Sequence, residues 1–308
     1  MFFKIMKGGW TGKVIDTLRS LYNKTKYRVK YSGFVSEVFE NNLGVNQGGV
    51  ASGLLFRKFM ADLSDYLYAE VGVCMGNLII LHLLWADDLI LISNTTAGLQ
   101  KQLNGLLNFC SENHTIVNAI KTKCMAYNAK QPLIIHFNNT AVSQVRVYKQ
   151  LGLVLRETQS SNQDVFKDAY PYLCQQARKA LFALKRKYSS LGSVPPNIMF
   201  ESFDTLIKPI LLYGSDIWGN NINGQSCIDR VFFQFMRYVL HVKPSTSNFI
   251  VIGECGKYPP SVYCKISVMC FLDRIHHMKS HRIPKQVYDE MVHLGAHGFN
   301  NWKTKIQN

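Results

Sequence analysis

The stretch LIILHLLWADDLILI, residues 78–92, decides how the chain is read. Two apolar runs, 78–85 and 89–93, flank Ala86-Asp87-Asp88. Runs of that length on either side of a turn-forming group predict a β-hairpin. Two adjacent carboxylates then sit at its tip. Asp is common in turns, so a solvated turn is one reading. The other is a cation site, because Mg²⁺ takes a few carboxylates and completes its shell with water and phosphate oxygens.

Upstream, Val14, Ile15, Leu18, Leu21 and Tyr22 repeat at helical spacing behind Thr11, a candidate N-cap. Tyr27, Val29 and Tyr31 alternate with Arg28 and Lys30, and Gly33 marks a turn toward a second strand over 35–39. The loop Gly44-Val45-Asn46-Gln47-Gly48-Gly49 opens onto a helix expected over 52–70. Downstream of the hairpin come a helix over 99–113 and strands over 124–127, 133–137 and 145–155. Beyond residue 162 helical periodicity dominates, over 165–188, 197–212, 228–240 and 261–278. An α+β region joined near residue 160 to a helical one follows.

Composition narrows the function. The chain has 308 residues, 47% of them hydrophobic, and 35 Lys plus Arg against 20 Asp plus Glu give a net charge of +15. Such a field favours phosphate-rich partners. Eight basic side chains and one acid, Asp16, fall in residues 1–30; Arg178, Lys179, Lys185, Arg186 and Lys187 fall in 171–200 with no acid. No run approaches the roughly 20 apolar residues of a membrane span. No apolar signal region follows Lys4 and Lys7. Eight scattered cysteines without a CxxC pair fit a reduced, intracellular setting, nucleus or cytoplasm, and not a secreted one.

The ordered motifs resemble the reverse transcriptases of non-LTR (LINE-like) retrotransposons. Gly44-Val45-Asn46-Gln47-Gly48, with Ser52 and Leu54-Leu55-Phe56, is similar to the loop and helix of motif B. Trp85-Ala86-Asp87-Asp88 resembles the [Tyr/Phe]-Ala-Asp-Asp box. Val117-Asn118 with Lys121-Thr122-Lys123 is similar to motif D, and Tyr148-Lys149-Gln150-Leu151-Gly152 to the primer grip. Lys208-Pro209-Ile210-Leu211-Leu212-Tyr213-Gly214-Ser215 looks like the segment following the thumb.

The resemblance implies a partial palm over 1–158, an antiparallel sheet with helices, then a helical thumb over 159–250 and a helical C-terminal extension over 251–308. It implies two-metal nucleotidyl transfer using Mg²⁺ or Mn²⁺ held by Asp87 and Asp88, with Lys121 acting on the leaving pyrophosphate. Gln47, Gly48, Gly49, Ser52 and Trp85 would contact nucleotide and template, and Leu151-Gly152 the primer. The partners implied are an RNA template, a DNA primer or RNA–DNA duplex, and deoxynucleotides, with no membrane.

The motif A carboxylate and the fingers lie upstream of these motifs in relatives, whereas this chain starts at Met1 just before the first helix. The expectation is an N-terminally truncated enzyme, impaired alone; a non-catalytic nucleic-acid-binding module or an inactive transposon remnant are the alternatives. Ser52-Gly53 where relatives carry Ser-Pro, and the bulk of Trp85, point the same way.

Arg178 and Lys185 are seven residues apart, as are Lys179 and Arg186, which places all four along one side of a helix. A solvated face or a contact with a nucleic-acid backbone would both use that pattern. Cys264, Cys270 and His276 step by six residues, which points them in three directions on one helix and argues against zinc.

Overall fold

The computed structural model describes residues 2–40, 44–129, 131–160, 163–222 and 227–307. The junction expected near residue 160 reaches residues 161–162, which lie outside the described residues. The chain is α+β and divides into two compact units. The first comprises Met1–Cys74, Ile79–Asn118 and Ile135–Ala141; the second comprises Met75–Leu78, Ala119–Ile134 and Val142–Asn308.

In the first unit α1 (Phe2–Lys7) and α2 (Lys13–Tyr22) precede four two-residue strands, β1 (Lys26–Tyr27), β2 (Lys30–Tyr31), β3 (Phe34–Val35) and β4 (Phe39–Glu40). Thr11 does not cap α2. Gly12 takes that place, its carbonyl accepting from the N–H groups of Ile15 and Asp16. The expected strand pair forms, but in two pieces. Tyr31 pairs with Phe34 while Tyr27 pairs with Phe39, and Ser36 donates to Val29, so the returning strand carries one extra residue. Such a bulge breaks the ladder.

The helix expected over 52–70 stops early. α3 (Ser52–Phe59) gives way to short 3₁₀ turns at Leu63–Tyr66 and Ala69–Val71. Asp62, Ser64 and Asp65 favour local turns over helix continuation, and the turns still bury Leu63 and Leu67. β5 (Val73–Met75) and β6 (Leu78–Ile80) follow, then the hairpin of β7 (His82–Trp85) and β8 (Asp88–Leu91). α4 (Thr96–Asn113) is capped by the Thr95 hydroxyl, which accepts from Gly98 N at 3.0 Å. It buries Leu103, Leu106 and Phe109.

β9 (Lys123–Cys124) runs parallel to β12 (Ser143–Gln144), and β10 (His136–Phe137) pairs with β11 (Thr140–Ala141). The continuous strand expected over 145–155 is instead the hairpin of β13 (Val147–Gln150) and β14 (Leu153–Arg156). Among the described residues every sheet has two strands, so no single antiparallel sheet assembles.

α5 (Ala169–Leu191) starts the helical part of the second unit. α6 (Pro196–Ser202), a π-helical turn over Phe203–Ile207 and α7 (Lys208–Leu211) occupy the segment expected as one helix. Pro209 explains the break, since its ring cannot tolerate the carbonyl four residues back in a regular helix, and widening the preceding turn relieves the clash. α8 (Ser215–Trp218), α9 (Cys227–Val239), α10 (Asn248–Cys255), α11 (Pro260–His276), α12 (Ile283–Ala296) and α13 (Trp302–Gln307) complete the chain.

The larger core lies here. Leu173, Ala177 and Leu181 of α5 meet Val231, Phe232 and Phe235 of α9, and Phe203 stacks on Phe235 with centroids 5.1 Å apart. No described helix is long and apolar enough to cross a membrane.

Candidate functional site

The β7–β8 hairpin closes through a two-residue loop. Trp85 faces Asp88 across the ladder, leaving Ala86-Asp87 at the apex. Ala86 has φ +54°, as the first central position of a type II′ turn requires. For an L-residue that conformation costs about 1–2 kcal/mol. Asp87 and Asp88 are exposed, and among the described residues neither carboxylate has a side-chain hydrogen bond or ion pair. Trp85 is 70% exposed beside them. At the other end of β7, burial pushes the His82 imidazole below its usual range and favours its neutral form.

The glycine-rich loop is built on a different support. Leu55 of α3 packs with Ile5, Ile15 and Leu18, and Val45 and Ala51 close against that cluster. The Ser52 hydroxyl donates to the Asn46 carbonyl at 2.6 Å and lies 3.3 Å from the Tyr22 hydroxyl. Tyr27 donates to the Asn46 side chain. Ser52 is therefore buried and shapes the loop, while Gln47 and Gly48 face outward. Gly49 has a steric reason: a Cβ there would lie 2.6 Å from Ser52 Oγ. Lys4 fixes the far end of α3, 2.6 Å from Asp62 and above the rings of Phe59 and Phe109.

In the second unit Leu151 and Gly152 have φ of +47° and +87°, the signature of a type I′ hairpin turn. The Tyr213 hydroxyl donates to the Leu151 carbonyl at 2.6 Å, and a Cβ on Gly152 would lie 3.0 Å from the Tyr213 ring. Trp218, fully buried, donates through Nε1 to the Tyr213 carbonyl at 3.0 Å. Two motifs 62 residues apart thus meet at one turn. Their separate spacing carried no signal of that contact. Lys121 is an exposed residue of the same unit, just before β9.

The four cations expected along one side of α5 are not equivalent. Arg178, Lys179 and Arg186 are exposed, whereas Lys185 is half-buried with Nζ 4.1 Å above the Tyr238 ring. Burial lowers its ammonium pKa.

Sequence reasoning also passed over Cys174 and Cys227, whose sulfurs lie 2.9 Å apart. The Cys174 thiol donates to Cys227, and Arg178 and Arg230 add positive charge, so Cys227 is drawn down to about 7 against the opposing effect of burial. Cys174 is held well above its usual range by the same contact. Alkylation of Cys227 by iodoacetamide, followed by peptide mass spectrometry, should therefore have its midpoint below that of an ordinary cysteine. A midpoint at the free-cysteine value of about 8.5 would contradict this geometry.

Of the residues considered for zinc, Cys264 is buried with its thiol pushed up to about 12 by desolvation, and His276 lies 3.3 Å from the Tyr288 hydroxyl. Among the described residues no three His, Cys, Asp or Glu side chains are grouped to hold a metal.

Residues 8–155, from just after α1 into β14, match the profile of the family described as reverse transcriptase (RNA-dependent DNA polymerase). This segment is similar to reverse transcriptases. It contains the acidic hairpin, the Gly44–Gly49 loop, Lys121 and the Leu151-Gly152 turn. The chain is also 34% identical over 116 residues to the retrovirus-related Pol polyprotein from type-2 retrotransposable element R2DM of Drosophila melanogaster. That match covers 38% of this chain and 11% of the polyprotein. A transposon-derived protein of Caenorhabditis elegans, F52C9.6, is 28% identical over 145 residues, 46% of this chain and 49% of that protein. The chain thus spans about half or less of the length of these relatives. The expected resemblance to reverse transcriptases is met by this profile, and the Drosophila relative is itself named for a type-2 retrotransposable element.

Proposed function

We propose that the chain is part of an RNA-directed DNA polymerase of a non-LTR retrotransposon, with palm elements in the reverse transcriptase segment and a thumb built around α5. The observation that carries this reading is the strained hairpin tip, where two adjacent exposed carboxylates have no side-chain partner among the described residues, inside a segment similar to that family. Asp87 and Asp88 suit a hard divalent cation, since they offer unpaired oxygens and leave room for phosphate and water ligands. Bound there, Mg²⁺ or Mn²⁺ would neutralise charge on the transferring phosphoryl group. Trp85, Gln47, Gly48 and Gly49 would position nucleotide and template, with Ser52 holding the loop in shape behind them. Lys121 would meet the leaving pyrophosphate, the Leu151-Gly152 turn would steady the primer, and Arg178, Lys179 and Arg186 would follow the backbone of an RNA–DNA duplex.

Two-metal transfer in the resembled family draws on three carboxylates, and no third ligand joins the pair among the described residues. That favours weak activity of the chain alone, and gives weight to a second reading as a non-catalytic nucleic-acid-binding module. Primer extension on an RNA template with Mg²⁺ or Mn²⁺ tests both. Slow templated synthesis, lowered about 100-fold or more by Asp87→Ala, is expected. Synthesis that survives Asp87→Ala would sink the assigned role of the hairpin. Duplex binding without synthesis would select the second reading.

A further inference from the structure

α9 has two faces. Its apolar side enters the core, while Arg230, Gln234, Arg237 and His241 recur at steps of four, three and four residues and form one stripe on and just beyond the helix. That stripe lines a cleft of about 520 Å³, within the usual range of small-ligand sites. Phe233 and Tyr238 give it apolar walls, and among the described residues no carboxylate lines it. The opposite wall is pinned rather than loose. Arg237 donates to the Thr246 carbonyl at 2.7 Å and to Asn248 Oδ1 at 2.6 Å, with its guanidinium 5.5 Å from the Phe233 ring. On its α5 side Tyr238 carries the Lys185 ammonium against its ring. The cleft therefore combines one pinned and one exposed guanidinium, an imidazole, amide side chains and an aromatic surface. Phosphate, sugar hydroxyl and an unstacked base together require that set.

We propose that this cleft binds an unstacked nucleotide of single-stranded RNA, its phosphate against Arg230 and His241 and its base against Tyr238. The proposal rests on the polymerase reading above and adds a contact separate from the α5 face, which suits duplex backbone. Gln234 and Asn248 can pair with a 2′-hydroxyl, which favours RNA over DNA.

Fluorescence anisotropy with the full chain decides it, using a labelled single-stranded RNA, DNA of the same sequence and an RNA–DNA duplex. Arg230 and Gln234 are both exposed, so Arg230→Glu with Gln234→Glu should leave the thermal midpoint in place. It should weaken single-stranded RNA binding about tenfold and flatten its salt dependence. Arg178→Glu with Lys179→Glu should weaken duplex binding instead. Tyr238→Leu, which keeps apolar bulk against α5, should weaken the single strand by several-fold through lost stacking.

Unchanged single-strand affinity in the α9 double variant, while wild type binds, would overturn the cleft and leave the polymerase reading standing. Equal affinity for DNA would overturn the assignment to RNA, and equal competition by polyphosphate would overturn the base contact. A wild-type chain that binds no nucleic acid at all would overturn both the cleft and the reading beneath it.

Discussion

Trp218→Ala should destabilise the second unit by roughly 3–5 kcal/mol, the usual cost of removing a large aromatic from a core. Trp218 is fully buried in the same cluster as Phe203, Phe232 and Phe235, and it lies beside Tyr170 with ring centroids 6.2 Å apart. Alanine would leave a cavity, and would also strip the Tyr213 carbonyl of the indole N–H that it accepts at 3.0 Å. Because Tyr213 in turn holds the Leu151 carbonyl, the damage should reach the β13–β14 turn. Trp218→Phe separates the two effects. It keeps most of the apolar volume, loses only the hydrogen bond, and should cost about 1 kcal/mol. Urea unfolding followed by circular dichroism measures both; equal losses for the two variants would mean that packing at this site contributes little.

Gly105→Ala should be the most damaging single-atom change in the first unit, at about 1–3 kcal/mol. An added Cβ would lie 2.2 Å from the Tyr66 carbonyl oxygen, and that neighbour is backbone, which cannot rotate away. On the preceding turn of α4, the buried Gln102 amide pairs with both the N–H and the carbonyl of Tyr68. Pushing α4 outward would break that pair and the edge-to-face contact of Tyr66 with Phe109, centroids 5.3 Å apart. Gly53 in α3 is the control. Nothing lies within 4 Å of its added Cβ, so Gly53→Ala should stabilise by up to about 1 kcal/mol through helix propensity. Thermal midpoints of the two variants should move in opposite directions. If both rise, α4 does not approach the 63–66 turn as described.

Whatever rests on short-range pattern was legible from the residues. Two continuous apolar runs around Ala86-Asp87-Asp88 gave the β7–β8 hairpin and its acidic tip, and the 3.6-residue spacing of Leu99, Leu103 and Leu106 gave α4. Misreadings arose where a local competitor overrode the pattern. Pro209 opened a helix, Leu151-Gly152 turned a strand back on itself, and Asp62, Ser64 and Asp65 ended α3.

Motif order, which is linear, was enough to identify the reverse transcriptase segment and to nominate Asp87 and Asp88. Folding alone decided which nominated residues face solvent and which face protein. Ser52 turned inward to Asn46, Lys185 settled on Tyr238, and Arg230, Gln234, Arg237 and His241 came to line a cleft. Tyr213 likewise reached Leu151 across 62 residues. A side chain's partner depends on which distant segment the hydrophobic core brings against it, and periodicity reports only that a face is buried.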